Sequence, residues 1–226
     1  MGLAGLGALG VCFGPVVAMD SPAARKVGEF NWGSTLWHEV AHTFTLGATG
    51  NRIPRWFSEG LSVLEERRAR PSWGSDVSPE FLAAYTSGML APPSRMNDGF
   101  MRPRFPQEVI LSYYQASLIA EWIEAQKSMA GIRAMLAAYA RGANTPSAVK
   151  EVLGYDMSTF DREFDRWIRA RFAKEFAAVS MEGGKSGGHE EGIRWSGTFA
   201  DAMRAATAAA ERQRWDDAVR ELELDA

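Results

Sequence analysis

The chain has 226 residues, 25 Lys+Arg against 28 Asp+Glu for a formal net charge of −3, and 46% hydrophobic residues. That length suits one domain with a short appendage, the composition excludes a wholly disordered chain, and the lack of any block of positive charge argues against a dedicated nucleic-acid binder. Cys12 is the only cysteine, which excludes a disulfide framework and a cysteine-based zinc site, and two of the three histidines, His38 and His42, stand four residues apart.

In chain order, the apolar stretch 2–18 lacks a basic leader and is broken by glycines and Pro15, so it is neither a convincing signal peptide nor long enough to span a bilayer. It reads as a strand over Val11–Asp20 entered through glycine turns. Ser34 is the expected N-cap of a helix to Leu46, closed by Gly47, with Leu36, Trp37, Val40, Ala41 and Phe44 as its apolar surface. A second helix over 55–70 starts after Pro54 and ends at Pro71, and Ser78-Pro79-Glu80 opens a short third. The proline-rich segment 91–106 reads as a loop. Helices follow over 107–126, 131–140, 147–153 and 158–176, the first carrying Ile110, Tyr114, Leu118 and Trp122 at helical spacing.

The glycine-rich segment 179–193 reads as a flexible linker, and 194–226 resembles the start of a tetratricopeptide-like helical hairpin, cut short. The fold class expected is α+β, predominantly α: a small N-terminal β element packed on the first helix, then a helical bundle over 1–178, then a repeat-like tail. The chain reads as the middle of a larger protein, incomplete at its N-terminus. Its localisation is open, an extracytoplasmic one being compatible.

The chemistry concentrates in His38-Glu39-Val40-Ala41-His42, an H-E-x-x-H motif inside a helix. Positions i and i+4 share a face, so both imidazoles can reach one metal ion. Glu39, about 100° round the helix, can instead reach a water held by that metal. A catalytic zinc normally has three protein ligands and an open position. His189 lies in the linker, and Thr45 and Ala48 occupy the positions where a histidine-terminated motif needs Gly and His. A carboxylate on the second helix remains. Glu59, 17 residues after His42 and flanked by Trp56, Phe57, Leu61 and Leu64, is the candidate, because a buried carboxylate needs a partner. Glu65 and Glu66, beside Arg67 and Arg68, read as a solvated charged face.

His38–Phe44 (HEVAHTF) followed by Pro54–Ser62 (PRWFSEGLS) resembles the gluzincin zinc metallopeptidases, and more closely the bacterial peptidase MA-like domains often joined to tetratricopeptide repeats. The likeness extends to Ser112–Leu118 and covers about residues 9–175. It implies a zincin-like domain, Zn2+ on His38, His42 and Glu59, Glu39 as general base, and a tyrosine donating to the developing oxyanion. Of the neighbours Tyr113 and Tyr114, which point about 100° apart, Tyr114 matches the family spacing. In zinc peptidases an edge strand beside the motif helix binds extended substrate. Gly14–Met19 is compatible with that role and equally with a plain core strand.

Two departures stand out. No G-x-M-E-N segment precedes the motif to anchor a substrate N-terminus, which favours an endopeptidase. Val63 occupies the position of the aspartate that would orient a ligand histidine, so the orienting group must come from elsewhere. The expected function is hydrolysis of peptide bonds in a peptide or protein substrate. The alternative is a catalytically silent peptidase-like domain whose helical repeat docks a protein partner. Neither nucleic acid nor a transmembrane segment is expected.

Overall fold

The computed structural model describes residues 9–24, 26 and 31–183, with side chains as far as Ala178. The contacts divide the chain into two compact units, Met1–Val179 and Ser180–Ala226. All the elements named below belong to the first unit, α8 alone running a few residues past its boundary.

Among the described residues the structure is predominantly helical, with one two-stranded antiparallel sheet. The single strand expected over 11–20 is a hairpin. β1 (Gly10–Phe13) pairs with β2 (Val16–Met19), Cys12 opposite Val17. Gly14 at the tip has φ +62°, and Pro15 follows; glycine at that position suits the tight turns whose twist matches paired strands.

Helix α1 (Trp32–Thr49) begins two residues before the expected cap. Asn31 takes that role, its side chain accepting from the Ser34 N–H at 3.1 Å. The helix runs on through Gly47 and closes at left-handed Gly50, with the Asn51 N–H bonded to the Leu46 carbonyl at 2.9 Å. Its apolar surface is not its buried face. Ser34, Glu39, Thr45 and Thr49 are buried, whereas Trp37 and Phe44 are exposed. The face turned inward is the polar one that carries the histidines.

α2 (Arg55–Ala69) and α5 (Glu108–Ala140) form the centre. Every residue of Trp56–Leu64 is buried, as is every residue of Tyr114–Ala120, the pattern of helices enclosed on all sides. They cross closely at Gly60, where a Cβ would stand 2.5 Å from the Ala116 carbonyl oxygen. Trp56, Phe57, Leu118, Ile119, Trp122 and Ile123 fill the core around that crossing. Ile110, whose side chain is exposed near the start of α5, is not among them. Ser128 interrupts α5 with φ 57° and ψ −174°, which divides it near the expected break.

The other helices flank this pair. α3 (Pro79–Thr86) has the expected Ser78 cap. The expected loop 91–106 contains α4 (Met96–Met101), because Met96 and Phe100 pack into the core. α6 (Thr145–Leu153) follows the Asn144 cap, and α7 (Met157–Arg171) is capped by Asp156 instead of Ser158. Phe172, itself buried, breaks the last expected helix, and α8 (Ala173–Gly183) continues beyond it into the start of the expected linker. The rest of that linker, the repeat-like tail and His189 lie outside the described residues. No helix among the described residues is long and apolar enough to cross a membrane.

Candidate metal centre

The packing of α1 against α2 creates the site. One turn of α1 stacks His38 and His42 edge to face, ring centroids 4.7 Å apart, with their Nε2 atoms 3.0 Å from each other. Glu59, from α2, sets Oε2 3.2 Å from Nε2 of His38 and 3.1 Å from Nε2 of His42. Three potential ligand atoms thus form a nearly equilateral triangle. Tetrahedral zinc with ligands at about 2.1 Å separates them by about 3.4 Å, so the triangle is slightly contracted from one face of such a site. His38, His42 and Glu59 are a group that could hold a metal ion.

The remote ring nitrogens are held as such a site requires. Nδ1 of His38 lies 2.6 Å from Glu66 Oε1, and Glu66 in turn accepts a short hydrogen bond from the Ser34 hydroxyl. Nδ1 of His42 lies 2.8 Å from the Ser58 hydroxyl and 3.3 Å from that of Ser62. With Nδ1 of each ring donating, both Nε2 atoms present lone pairs to the triangle, and Glu59 Oε2 presents another. Three lone pairs cannot face one another at 3.0–3.2 Å without a cation or a proton between them. The donor set fits a divalent metal.

Without a metal, a proton takes that place. Burial opposes charge on His38, but hydrogen bonds to Glu59 and Glu66 outweigh it and push its pKa up to about 9. Burial would raise the Glu59 carboxyl, yet its bonds to His38 and His42 hold it far below the usual carboxylate range. Glu39 titrates above the ordinary value because it is desolvated, although the nearby histidines partly offset this. Its carboxylate is buried against β1. A Cβ on Gly10 would sit 2.8 Å from Glu39 Cγ and 2.9 Å from Oε1, so only glycine lets the strand pass so close.

The structure corrects two expectations about the site. Glu66 belongs to it and not to a solvated face: it is 7% exposed, while Glu65 is half-exposed and paired with Arg68 at 2.9 Å. Seven residues, two helical turns, place Glu66 on the Glu59 side of α2, and that spacing was the available signal. Tyr114, expected beside the metal, points into the core. It packs edge to face on Phe81 at 4.8 Å, with the Arg67 guanidinium over its ring, and its hydroxyl has no hydrogen-bond partner. Desolvation pushes its pKa up to about 12. Tyr113 faces the site instead, its ring 6.1 Å from that of His38 and close to Arg55. The roughly 100° between neighbouring helical positions allows only one of them there.

Arg55, at the start of α2, completes the rim. Its Nε donates to Glu59 Oε1 at 3.1 Å and its guanidinium lies over the Phe100 ring. No family model matches the chain, and no curated protein or solved structure does either.

Proposed function

We propose that the protein is a zinc-dependent metallopeptidase of the gluzincin type, built on a zincin-like domain and acting on peptide or protein substrates as an endopeptidase. The observation that carries this reading is the convergence of His38 Nε2, His42 Nε2 and Glu59 Oε2 within 3.2 Å, with Glu39 on the same helix turn. Zinc held there would polarise a substrate carbonyl and lower the pKa of a water to about 7.

The chain's own groups do the rest. Glu39, desolvated and above the ordinary carboxylate pKa, accepts the proton of the attacking water and passes it to the leaving amine. Tyr113 takes the oxyanion-donor role that the family likeness assigned to its neighbour, its ring being the one that stands 6.1 Å from that of His38. Glu66 and Ser58 keep the two imidazoles aimed. The hairpin lies along α1 at Glu39, where an extended peptide could add to it.

A catalytically silent scaffold is the second reading, supported by the exposed Trp37 and Phe44 on the outer face of α1, which suit contact with a protein partner. Metal analysis of purified protein, together with cleavage of casein, separates the two. The peptidase reading requires about one zinc per chain and metal-dependent cleavage, with Glu39→Ala retaining zinc and losing turnover. Full occupancy without cleavage of casein or a peptide library selects the scaffold, and absence of zinc removes the site.

A further inference from the structure

Arg55 breaks a local rule. It is the first residue of α2, where the helix dipole disfavours a positive charge. A sequence that violates such a preference usually does so at a functional site. Here three elements hold the guanidinium in place. Its Nε donates to Glu59 Oε1 at 3.1 Å within α2. From α4, the Phe100 ring lies 5.6 Å beneath it and Met101 Sδ is 3.9 Å from Nη1. From α5, the Tyr113 phenol lies near enough to interact electrostatically with it, and the Tyr113 ring stands edge to face on the same Phe100 at 5.1 Å.

The two oxygens of Glu59 are thereby divided. Oε1 is occupied by Arg55, and Oε2 is the one that meets both histidines. We propose that Arg55 is a positioning residue of the metal centre, which fixes Glu59 so that a single oxygen faces the ion and, through the Phe100 ring that both contact, braces Tyr113 beside it. This role rests on the metal-centre reading. A carboxylate with both oxygens free can turn to offer either or both to a metal. A planar guanidinium on one of them removes that freedom, and a charge-assisted bond does so more strongly than a neutral one. Glu59 and Tyr113 are then kept in register by one side chain, although they belong to different helices.

The test uses the full chain, with Zn2+ and Co2+ as probes. Wild type, Arg55→Met and Arg55→Lys are compared for zinc affinity by chelator competition, and for the visible spectrum of the Co2+-loaded protein. Arg55→Met is expected to lose about 10–100-fold in zinc affinity, the range for removing a group that orients a ligand. Its Co2+ spectrum should also change, because Glu59 gains a second free oxygen. Arg55→Lys keeps one donor and should fall between. A merely structural role would lower the melting temperature of the metal-free protein and leave affinity and spectrum as in wild type, and that result overturns the proposal. Wild type that binds neither ion overturns the metal centre and this role with it.

Discussion

Glu66 Oε1 lies 2.6 Å from Nδ1 of His38, and Glu66 reaches this position from two helical turns beyond Glu59. The hydrogen bond fixes the ring so that Nε2 points at Glu59 Oε2, and Ser34 holds the other carboxylate oxygen. One acid on α2 therefore faces the candidate metal position and another faces the back of the His38 ring. Removing the second should loosen the histidine while leaving all three ligands in the chain. Glu66→Gln should weaken zinc binding about 10–100-fold. Glu65→Ala, which only breaks a half-exposed pair with Arg68, should leave the affinity unchanged. Chelator competition measures both.

The two tyrosines make a paired prediction. Tyr113→Phe should retain zinc and lower kcat about 10²–10³-fold, the loss typical of one oxyanion donor. Tyr114→Phe removes a buried hydroxyl that has no partner, so activity should be unchanged and stability equal or higher. Steady-state kinetics and thermal melts of the two variants compared with wild type decide it. The reverse pattern would return the role to Tyr114.

Metal binding should release protons. A zinc ligand must be a neutral imidazole, whereas His38 without a metal stays protonated up to about pH 9. At pH 7 zinc should therefore displace about one proton, and affinity should rise about tenfold per pH unit until pH approaches 9. Calorimetry in buffers of different ionisation enthalpy reads the proton count directly.

The metal-free protein should show the opposite trend on its alkaline side. The His38 pKa is raised from 6.5 to about 9, so its contribution to stability is full below 6.5 and lost as pH rises through 9. Glu59 is depressed from 4.5, so its contribution is present above that value and lost as pH falls. The apo protein should be most stable between about pH 4.5 and 6.5 with respect to this pair, as denaturant midpoints across pH would record.

Gly60 tests the scaffold beneath the site. Gly60→Ala adds a methyl 2.5 Å from the Ala116 carbonyl oxygen, a backbone atom that cannot swing aside. Overpacking of this kind costs about 1–3 kcal/mol, more than the roughly 1 kcal/mol that alanine gains in helix propensity. A lower urea midpoint with an unchanged slope is expected, and because the crossing carries Glu59, weaker zinc binding should accompany it.

The local chemistry of the site was legible in the chain itself. His38, Glu39 and His42 declare themselves by spacing, because a helix converts four residues into one face. Glu59 stands out as an acid in an apolar helix, because burial demands a partner. The predominance of helix and most helix boundaries follow from periodicity and caps in the same way, whereas the turn at Gly14 reads from the sequence as part of a single strand.

What spacing could not decide was which side of each helix meets another. Tyr113 and Tyr114 differ by one step of rotation, and only the packing of α5 against α2 and α4 sends one to His38 and the other to Phe81. Glu66 looks solvated beside Arg67 and Arg68 until α1 and the Ser34–Gly74 contact close over it. The outer face of α1 looks like core by composition, yet the inward face is polar because it carries the histidines and their hydrogen-bond partners. These are long-range choices, set by which surfaces find each other in three dimensions, and the order of residues along a single helix does not contain them.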